Sequence, residues 1–583
     1  MLFFNRVKIN REVLSFVLAT LFVTLCFVWI YANYGIYYSS DDVGIMKTFS
    51  GYTSGTPTAY HAYGSYTLGL FFKALYTIMP GLNWYSYGSI LVVIVSNVVI
   101  IYSIYRQRDS KEKKLQYVDL LLIGVLTVAI SLCGISRITW TTNAALAAVA
   151  GIMCLLILPD VNGKKWLVYG AAVMFFAISS LIRNASYKAV LPFALLALMY
   201  QTGKDMHIDS RKEKMKTLFS DVLLVVILIS ILAYIKVDVA LKSDVFQSET
   251  GTFEYYRGLY TDTYHIPYEG NEDFYDSLGW DEEFYNMTND WFFIDPRFNT
   301  ENLKLIAEKS QEIRRQSTND NNIYSYKDEF LDETKNKPMR ILMTISVVVL
   351  FFVGVGMTMH QFIKKREWSD WIFLAGTELL AMAEWGYLVM ERGRFIDRAF
   401  YCTVFPALFI GLWILSRHAE AMSKHKVFYF AVGVLAIFSI YIAGKQMFNH
   451  GDLARLEGLS RRSVDSDEIT MTHPDIFYIT DTSMAGGVFL FLNMDWAGCG
   501  NNRLMWGGTG VFSQSFFEKI AQFGYDEFYS DNLFDENVYF MTSYSAIDNT
   551  DFMAYMKKTY GDTVVAKLVD TTESGVYVYD FDR

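Results

Sequence analysis

The chain has 583 residues, of which 52% are hydrophobic and 16% aromatic, and its formal net charge at pH 7 is −10. The apolar residues come in long blocks, which excludes a single soluble core and indicates a polytopic membrane protein. Residues 236–337 hold 22 acids and 11 bases, and residues 447–583 hold 21 acids and 9 bases. Neither acidic segment has the clustered Lys and Arg that nucleic acid binding requires, so nucleic acid is not expected as a partner.

Apolar runs long enough to cross a membrane predict about eleven spans. They lie at about residues 13–34, 84–105, 117–136, 141–158, 166–182, 189–201, 217–235, 338–363, 369–390, 399–416 and 427–446. Basic residues precede the first span and fill loops 106–114, 160–165, 201–216, 364–366 and 417–426, which places these segments in the cytoplasm. An odd number of spans then gives a multi-pass plasma-membrane protein with a cytoplasmic N-terminus and an extracytoplasmic C-terminus.

The predicted fold is mainly α: a polytopic helical membrane bundle with an external loop domain and a small external α/β domain at the C-terminus. Its predicted parts are an N-terminal membrane module (1–235) with a first external loop (35–83), a large external loop (236–337), C-terminal membrane helices (338–446) and the α/β domain (447–583). The α/β domain is predicted to have strands at 476–479, 563–569 and 575–581, with helices near 513–523 and 550–560.

Two further segments carry weaker patterns. Residues 66–80 are apolar but short and contain Lys73, so they predict an amphipathic helix on the outer membrane interface. Residues 236–337 show helical periodicity only around 301–316. Their aromatic residues suit either a carbohydrate-facing surface or the core of a small accessory domain.

Asp41 and Asp42 follow directly on the first span. Carboxylates are costly near hydrocarbon, so an acidic pair at that depth indicates a functional site. The alternative is that Asp41 caps the next helix or is a solvated loop residue.

Short outer loops rich in Arg and Lys run against the usual charge bias of membrane proteins. Arg suits bidentate phosphate binding, so these residues are candidate phosphate ligands: Arg137, Arg183, Lys188, Arg392, Arg394 and Arg398. The alternative is that they pair with Glu384, Glu391 or Asp397, or bind lipid headgroups. Tyr60 and His61 in the first loop, with Glu384 and Glu391, are candidate substrate contacts, whereas Glu378 is interpreted as a helix-packing residue.

No metal site or cofactor is predicted, because the chain has no CxxC pair and its eight histidines lack metal-ligand spacing. Dependence on a divalent cation is left undecided by the sequence, because it contains no separate cluster of metal ligands.

The stretch from Tyr37 to Gly44, which carries the acidic pair after the first span, resembles the first external loop of the GT-C superfamily of polytopic glycosyltransferases. Glu391-Arg392-Gly393-Arg394-Phe395 resembles an acid followed by an Arg-aromatic pair in bacterial members, with Phe395 where Tyr is usual. The large loop after the seventh span is similar to that of protein O-mannosyltransferases and aminoarabinose transferases.

The resemblance implies a polyprenyl-phosphate sugar donor, an acceptor hydroxyl on a glycan, lipid or protein, and a membrane lipid environment. It also implies that Asp41 or Asp42 is the general base and that the candidate cations bind the donor phosphate. The alternatives are a lipid-linked polysaccharide polymerase, a flippase or exporter, and a scaffold that displays the C-terminal domain.

Overall fold

The structure is a computed structural model. It describes residues 11–34, 37–38, 40–52, 56–61, 64–106, 137–158, 165–205, 210–245, 248–262, 266–318, 369–392, 397–417, 437, 441, 450–484, 492, 502–508 and 510–583. These residues form two compact units, each assembled from three parts of the chain. Unit 1 is Met1–Ile36, Ser86–Val237 and Tyr324–Asn449, and unit 2 is Tyr37–Tyr85, Asp238–Ile323 and His450–Arg583.

The described chain is mainly helical. In chain order the helices are α1 (Arg11–Tyr34), α2 (Ser40–Ser50), α3 (Tyr66–Ile78), α4 (Trp84–Arg106), α5 (Trp140–Ile157), α6 (Lys165–Ile182), α7 (Asn184–Asp205), α8 (Arg211–Val245), α9 (Ser248–Asp262), α10 (Glu272–Ser277), α11 (Glu282–Asn289), α12 (Thr300–Thr318), α13 (Ser369–Arg392), α14 (Asp397–Arg417), α15 (His450–Thr472), α16 (Gln514–Gln522) and α17 (Asp551–Tyr560). The strands are β1 (Tyr37–Tyr38), β2 (Arg137–Ile138), β3 (Phe477–Thr480), β4 (Arg503–Met505), β5 (Val538–Thr542), β6 (Val565–Thr571) and β7 (Tyr577–Asp582).

Four helical segments among the described residues are long and apolar enough to cross a membrane. They are Trp84–Ile104, Trp140–Ile157, Lys165–Ile182 and Lys214–Lys242, and shorter apolar segments lie at Ala19–Trp29 and Ala399–Ile414. The prediction of a mainly helical chain with several apolar spans is therefore confirmed. The predicted spans at 117–136 and 338–363, and nearly all of 427–446, lie outside the described residues, so the number eleven stays a prediction.

Helix α5 forms the centre of unit 1. All eighteen of its residues are buried, and it packs against α6, α7 and α14. Many of its side chains are small, which lets neighbouring helices approach closely. At Gly151 an added Cβ would lie 3.0 Å from the Phe176 ring, so a larger residue there would require that ring to shift by a few tenths of an ångström.

Helix α8 also contains an apolar spanning segment, but most of that segment is exposed. Only 17% of its most apolar window is buried within the structure. Its exposed apolar side chains include Leu218, Phe219, Val222, Leu223, Val226 and Ile229. An apolar surface of this kind is typical of a helix that faces hydrocarbon.

A five-stranded mixed sheet organises unit 2, in the order β4-β3-β5-β7-β6. Strand β3 pairs in parallel with β4 and β5, and β7 pairs antiparallel with β5 and β6. This confirms the small C-terminal sheet that the sequence predicts. Strands β4 and β5 were not predicted, since β4 is only three residues long and adjoins a Gly-rich turn.

The sheet shares one hydrophobic core with the segment 253–306. Aromatic residues of that segment, such as Trp280 and Phe292, belong to the same buried cluster as Trp506, Phe540 and Phe552 from the sheet and its helices. The rings of Trp506 and Phe540 stack with centres 4.9 Å apart, and Phe292 meets Trp506 edge-on at 5.0 Å. The buried aromatic residues of segment 253–306 therefore fill a core.

The core closes through one tight backbone approach. Phe293 N–H donates to the carbonyl of Trp506 at 3.0 Å, and a Cβ on the next residue, Gly507, would lie 1.8 Å from the carbonyl oxygen of Trp291. Only glycine leaves room for this approach. Segment 236–337 also contains α9, α10 and α11, so it is more helical than its periodicity predicted.

Candidate functional site

The acidic pair lies in the first turn of α2. Negative side chains are favourable at a helix N-terminus, where the unpaired backbone N–H groups carry partial positive charge. The two carboxylates differ in exposure. Asp41 is exposed, whereas Asp42 is fully buried and accepts a hydrogen bond from the Tyr85 hydroxyl.

Tyr85 is itself held by buried neighbours. Its backbone N–H donates to the Tyr76 hydroxyl at 3.0 Å, and that hydroxyl donates to Asn83 Oδ1 at 3.1 Å. Burial raises the pKa of Tyr76, so the phenol stays neutral. Asn83 is fully buried and its side-chain amide lies 3.0 Å from Met46 Sδ on α2. The position of Asp42 is thus fixed by a connected polar network.

Tyr60 and His61 lie on the segment between α2 and α3, and both are 8% exposed. The His61 ring is 5.7 Å from the Phe49 ring, Phe49 stacks on Phe72 at 5.4 Å, and Phe72 lies 5.9 Å from Tyr85. A row of aromatic rings therefore connects His61 with the tyrosine that binds Asp42.

The C-terminal end of α2 is bound to the C-terminal part of unit 2. Tyr52 donates to Asp467 on α15 and accepts from Arg503 on β4, and Arg503 also pairs with Asp467 at 3.1 Å. The guanidinium lies over the Tyr52 ring, 5.2 Å from its centre. The helix that carries the acidic pair is thereby anchored to a helix and a strand more than 400 residues away in the sequence.

Arg183 occupies the junction of α6 and α7 in unit 1. Its guanidinium lies 4.1 Å from the centre of the Trp140 ring, and Nη1 donates to Thr141 Oγ1 at 2.9 Å. These contacts hold the cation at the N-terminal end of α5.

Glu384 and Arg183 have a common neighbour in unit 1. Both residues are within electrostatic range of Cys402 on α14, which also bonds Ser186 on α7. Glu384 Oε2 is buried without a hydrogen-bond partner among the described residues. The structure therefore brings two of the candidate residues, one basic and one acidic, into one neighbourhood of unit 1.

The structure describes the other candidate residues in less detail. Lys188 is exposed on α7. Arg137 lies in β2, Glu391 and Arg392 end α13, and Arg398 lies in the first turn of α14, but the side chains of these four residues are outside the described set. Arg394 is outside it altogether.

Metal binding has no support from the described residues, which contain no group of three or more His, Cys, Asp or Glu side chains able to hold an ion.

The candidate residues are therefore divided. Asp41, Asp42, Tyr60 and His61 belong to unit 2, and Arg183, Lys188 and Glu384 belong to unit 1. Sequence reasoning missed Tyr85, Tyr52 and Arg503. No local pattern marks them, because each acts through a partner distant in the sequence.

Comparison with protein-family models, curated proteins and solved structures finds no match to this chain.

Proposed function

We propose that the chain is a membrane glycosyltransferase that moves a sugar from a polyprenyl-phosphate donor to an acceptor hydroxyl on a glycan, lipid or protein. The observation that carries the proposal is the division of the acidic pair. Asp41 is exposed at the N-terminus of α2, and Asp42 beside it is buried and bound by Tyr85. A general base must reach its substrate, so the exposed carboxylate takes that role.

In this reaction the acceptor oxygen bonds to the anomeric carbon of the sugar, and the bond from that carbon to the phosphate oxygen breaks. Asp41 takes the proton of the acceptor hydroxyl, and the polyprenyl phosphate leaves with the bonding electron pair. Asp42 sets the first turn of α2, so that its neighbour points toward the acceptor. Cations stabilise the charge that develops on the leaving phosphate.

Arg183 is the best-supported cation for the donor phosphate. Its contacts with Trp140 and Thr141 fix the guanidinium, and a fixed cation stabilises developing charge without reorganising during the reaction. Arg137, Lys188, Arg392, Arg394 and Arg398 complete the proposed set, with Glu384, Glu391, Tyr60 and His61 as substrate contacts.

The proposal includes the membrane arrangement that the sequence predicts. About eleven spans would leave the N-terminus in the cytoplasm and unit 2 outside the plasma membrane. Four apolar helical segments and the lipid-type surface of α8 support a membrane location.

Donor consumption by purified chain and by two matched variants tests the reaction. Radiolabelled undecaprenyl-phosphate sugars are supplied in detergent with candidate acceptors, and released undecaprenyl phosphate is measured. Asp41→Asn is expected to lower the rate by about 10²–10⁴-fold, because the amide cannot accept the proton. Asp42→Asn keeps an acceptor for Tyr85 and is expected to lose less.

Exposed Asp273 on α10 provides the control, since Asp273→Asn should leave the rate unchanged. Equal rates for wild type and Asp41→Asn would show that the base is misassigned. Failure of the wild type to consume any supplied donor would count against glycosyl transfer.

One observation favours a second candidate, a flippase or exporter of lipid-linked sugars. Glu378 on α13 is 1% exposed, and neither carboxylate oxygen has a hydrogen-bond partner among the described residues. A buried intramembrane acid is typical of proton-coupled transporters. Movement of lipid-linked sugar across liposomes without loss of donor would favour this candidate.

A further inference from the structure

Two charged residues of α8, Asp238 and Lys242, contact the first-loop segment 61–67. They are four residues apart, so they lie on the same face of the helix. Both contact residues that lie between His61 and Thr67. Asp238 and Lys242 are called the α8 clamp below.

Asp238 caps helix α3. Its carboxylate is 4% exposed and accepts from the backbone N–H groups of Tyr66 and Thr67 at 2.8 and 2.9 Å. The hydroxyls of Ser65 and Thr67 donate to it at 3.0 and 2.7 Å. A single carboxylate from another helix thus satisfies two N–H groups at the start of α3, which have no partner within that helix.

Lys242 holds the turn that precedes α3. Its ammonium group donates to the carbonyl of His61 at 2.9 Å and to the carbonyl of Gly64 at 3.3 Å. It also lies within electrostatic range of Asp238 and Glu254. Because hydrogen bonds from a charged donor are stronger than neutral ones, this contact fixes the two ends of the turn together.

The closed turn sets the tautomer of His61. Gly64 N–H donates to His61 Nδ1 at 2.8 Å, so Nδ1 is an acceptor and the proton of the neutral ring lies on Nε2. The fit is close, because a Cβ on Gly64 would lie 2.9 Å from His61 Cγ. Ring orientation and tautomer therefore depend on the same turn that Lys242 closes.

We infer that Asp238 and Lys242 are positioning residues, which fix the orientation and tautomer of His61 and the start of α3 for sugar transfer. This rests on the proposed function, in which His61 contacts substrate. Both residues lie in the C-terminal part of the apolar helical segment Lys214–Lys242. The first loop is therefore supported by that helix as well as by α15 and β4.

The first test follows the exposure of His61 without relying on activity. Full-length protein is treated with diethylpyrocarbonate, and modification of His61 is followed by mass spectrometry. Lys242→Met opens the turn and is expected to raise the modification rate about tenfold, as expected for the loss of a hydrogen bond to a charged group. Lys242→Arg keeps a cationic donor and is expected to stay near the wild-type rate.

Exposed Lys236 lies on the same helix, so Lys236→Met is the matched control and should change nothing. Gly64→Ala displaces the ring without touching the lysine and is expected to raise modification as well. Gly64→Ala provides the test of His61 exposure if Lys242→Met does not fold. An unchanged modification rate in a folded Lys242→Met or Gly64→Ala chain would overturn the clamp.

The second test is kinetic. Lys242→Met is expected to lower kcat about tenfold, because His61 is no longer held in position. Lys242→Arg is expected to keep kcat near the wild-type value, because it retains a cationic donor. Faster modification with an unchanged kcat, in a preparation where Asp41→Asn is inactive, would overturn the positioning role. If the wild type consumes no donor, the proposed function fails alone, and the modification rate still decides whether the clamp exists.

Discussion

One buried acid of unit 1, Glu378, differs from two buried acids of unit 2, Asp295 and Asp238. In unit 2, Asp295 accepts from the Tyr555 hydroxyl at 2.5 Å and pairs with Arg297 at 3.0 Å, and Asp238 accepts the four hydrogen bonds described above. In unit 1, neither oxygen of Glu378 has a hydrogen-bond partner among the described residues, although the residue is 1% exposed.

The difference separates structural acids from candidate functional ones. A buried carboxylate with a full set of partners joins chain segments, as Asp295 joins the 281–297 segment to α17. A buried carboxyl group without partners costs stability, since its polar atoms lose water and gain nothing. We therefore propose a functional role for Glu378 on α13, where the sequence predicts a helix-packing residue.

The largest expected effect is in the paired region. Asp295→Ala leaves Arg297 and Tyr555 without their shared acceptor, and removal of one member of a buried pair typically costs about 3–5 kcal/mol. Trp280 donates from Nε1 to the carbonyl of Arg297 at 3.1 Å, so thermal unfolding of the full chain in detergent can be followed by tryptophan fluorescence. The transition of unit 2 should move down by several degrees.

Glu308, exposed on α12, gives the matched control. Glu308→Ala is expected to stay within about 0.5 kcal/mol of wild type, as surface substitutions usually do. Equal melting temperatures for Asp295→Ala and this control would show that the buried network is not structural.

Asp481 is an intermediate case, because its partners are neutral. The carboxylate is buried at the end of β3 and accepts from the hydroxyls of Ser483 at 2.5 Å and Thr542 at 2.6 Å. Burial raises the pKa of Asp481 to about 6, although the two hydroxyls act in the opposite direction. The folded state therefore holds this proton more tightly than the unfolded chain.

A raised pKa contributes stability at low pH, and that stability is lost as pH rises through the folded value. Between about pH 4 and pH 6, wild type should lose on the order of 3 kcal/mol relative to Asp481→Asn, which has no proton to release. Melting temperatures of both chains across that window measure the difference. A gap between them that does not vary with pH would exclude Asp481 as the titrating group.

The sequence predicts part of this structure for local reasons. The acidic pair at a helix start, the helix at 66–78 and three strands of the sheet follow from patterns within a few residues. The predicted span 217–235 ends ten residues before α8 does, because the helix continues past the apolar run. Asp238 and Lys242 lie in that continuation. Their spacing of four residues, which places both charges on one face of a helix, is the sequence pattern that could have identified them.

The remaining features have no local signal. The core shared by segment 253–306 and the sheet joins residues about 200 positions apart in the sequence. The hydrogen bond from Tyr85 to Asp42 likewise forms only in the folded chain, and no local pattern predicts it. Apolar and aromatic composition indicates that such residues are buried, but not which segment buries them. The same limit applies to the spanning segments of α5 and α8, which are both apolar but differ in burial.

The last prediction sets two acids of the same helix against each other. Asp370 at the start of α13 accepts from Tyr200 at 2.6 Å and pairs with Lys204 at 2.8 Å, whereas Glu378 two turns later has no partner among the described residues. Asp370→Asn should cost about 2 kcal/mol, since an amide accepts hydrogen bonds but does not balance the charge of the half-buried Lys204. Glu378→Gln should stay within about 0.5 kcal/mol of wild type or stabilise the chain, because no ion pair is broken.

Thermal unfolding of both variants in the same detergent makes this comparison directly. A loss for Glu378→Gln as large as that for Asp370→Asn would mean that Glu378 is a structural residue, and the contrast between paired and unpaired buried acids would fail. If the variant keeps its stability, its function can be assigned by activity. Loss of lipid-linked sugar movement with donor consumption intact would identify Glu378 with export, whereas loss of donor consumption would place it in the transfer reaction.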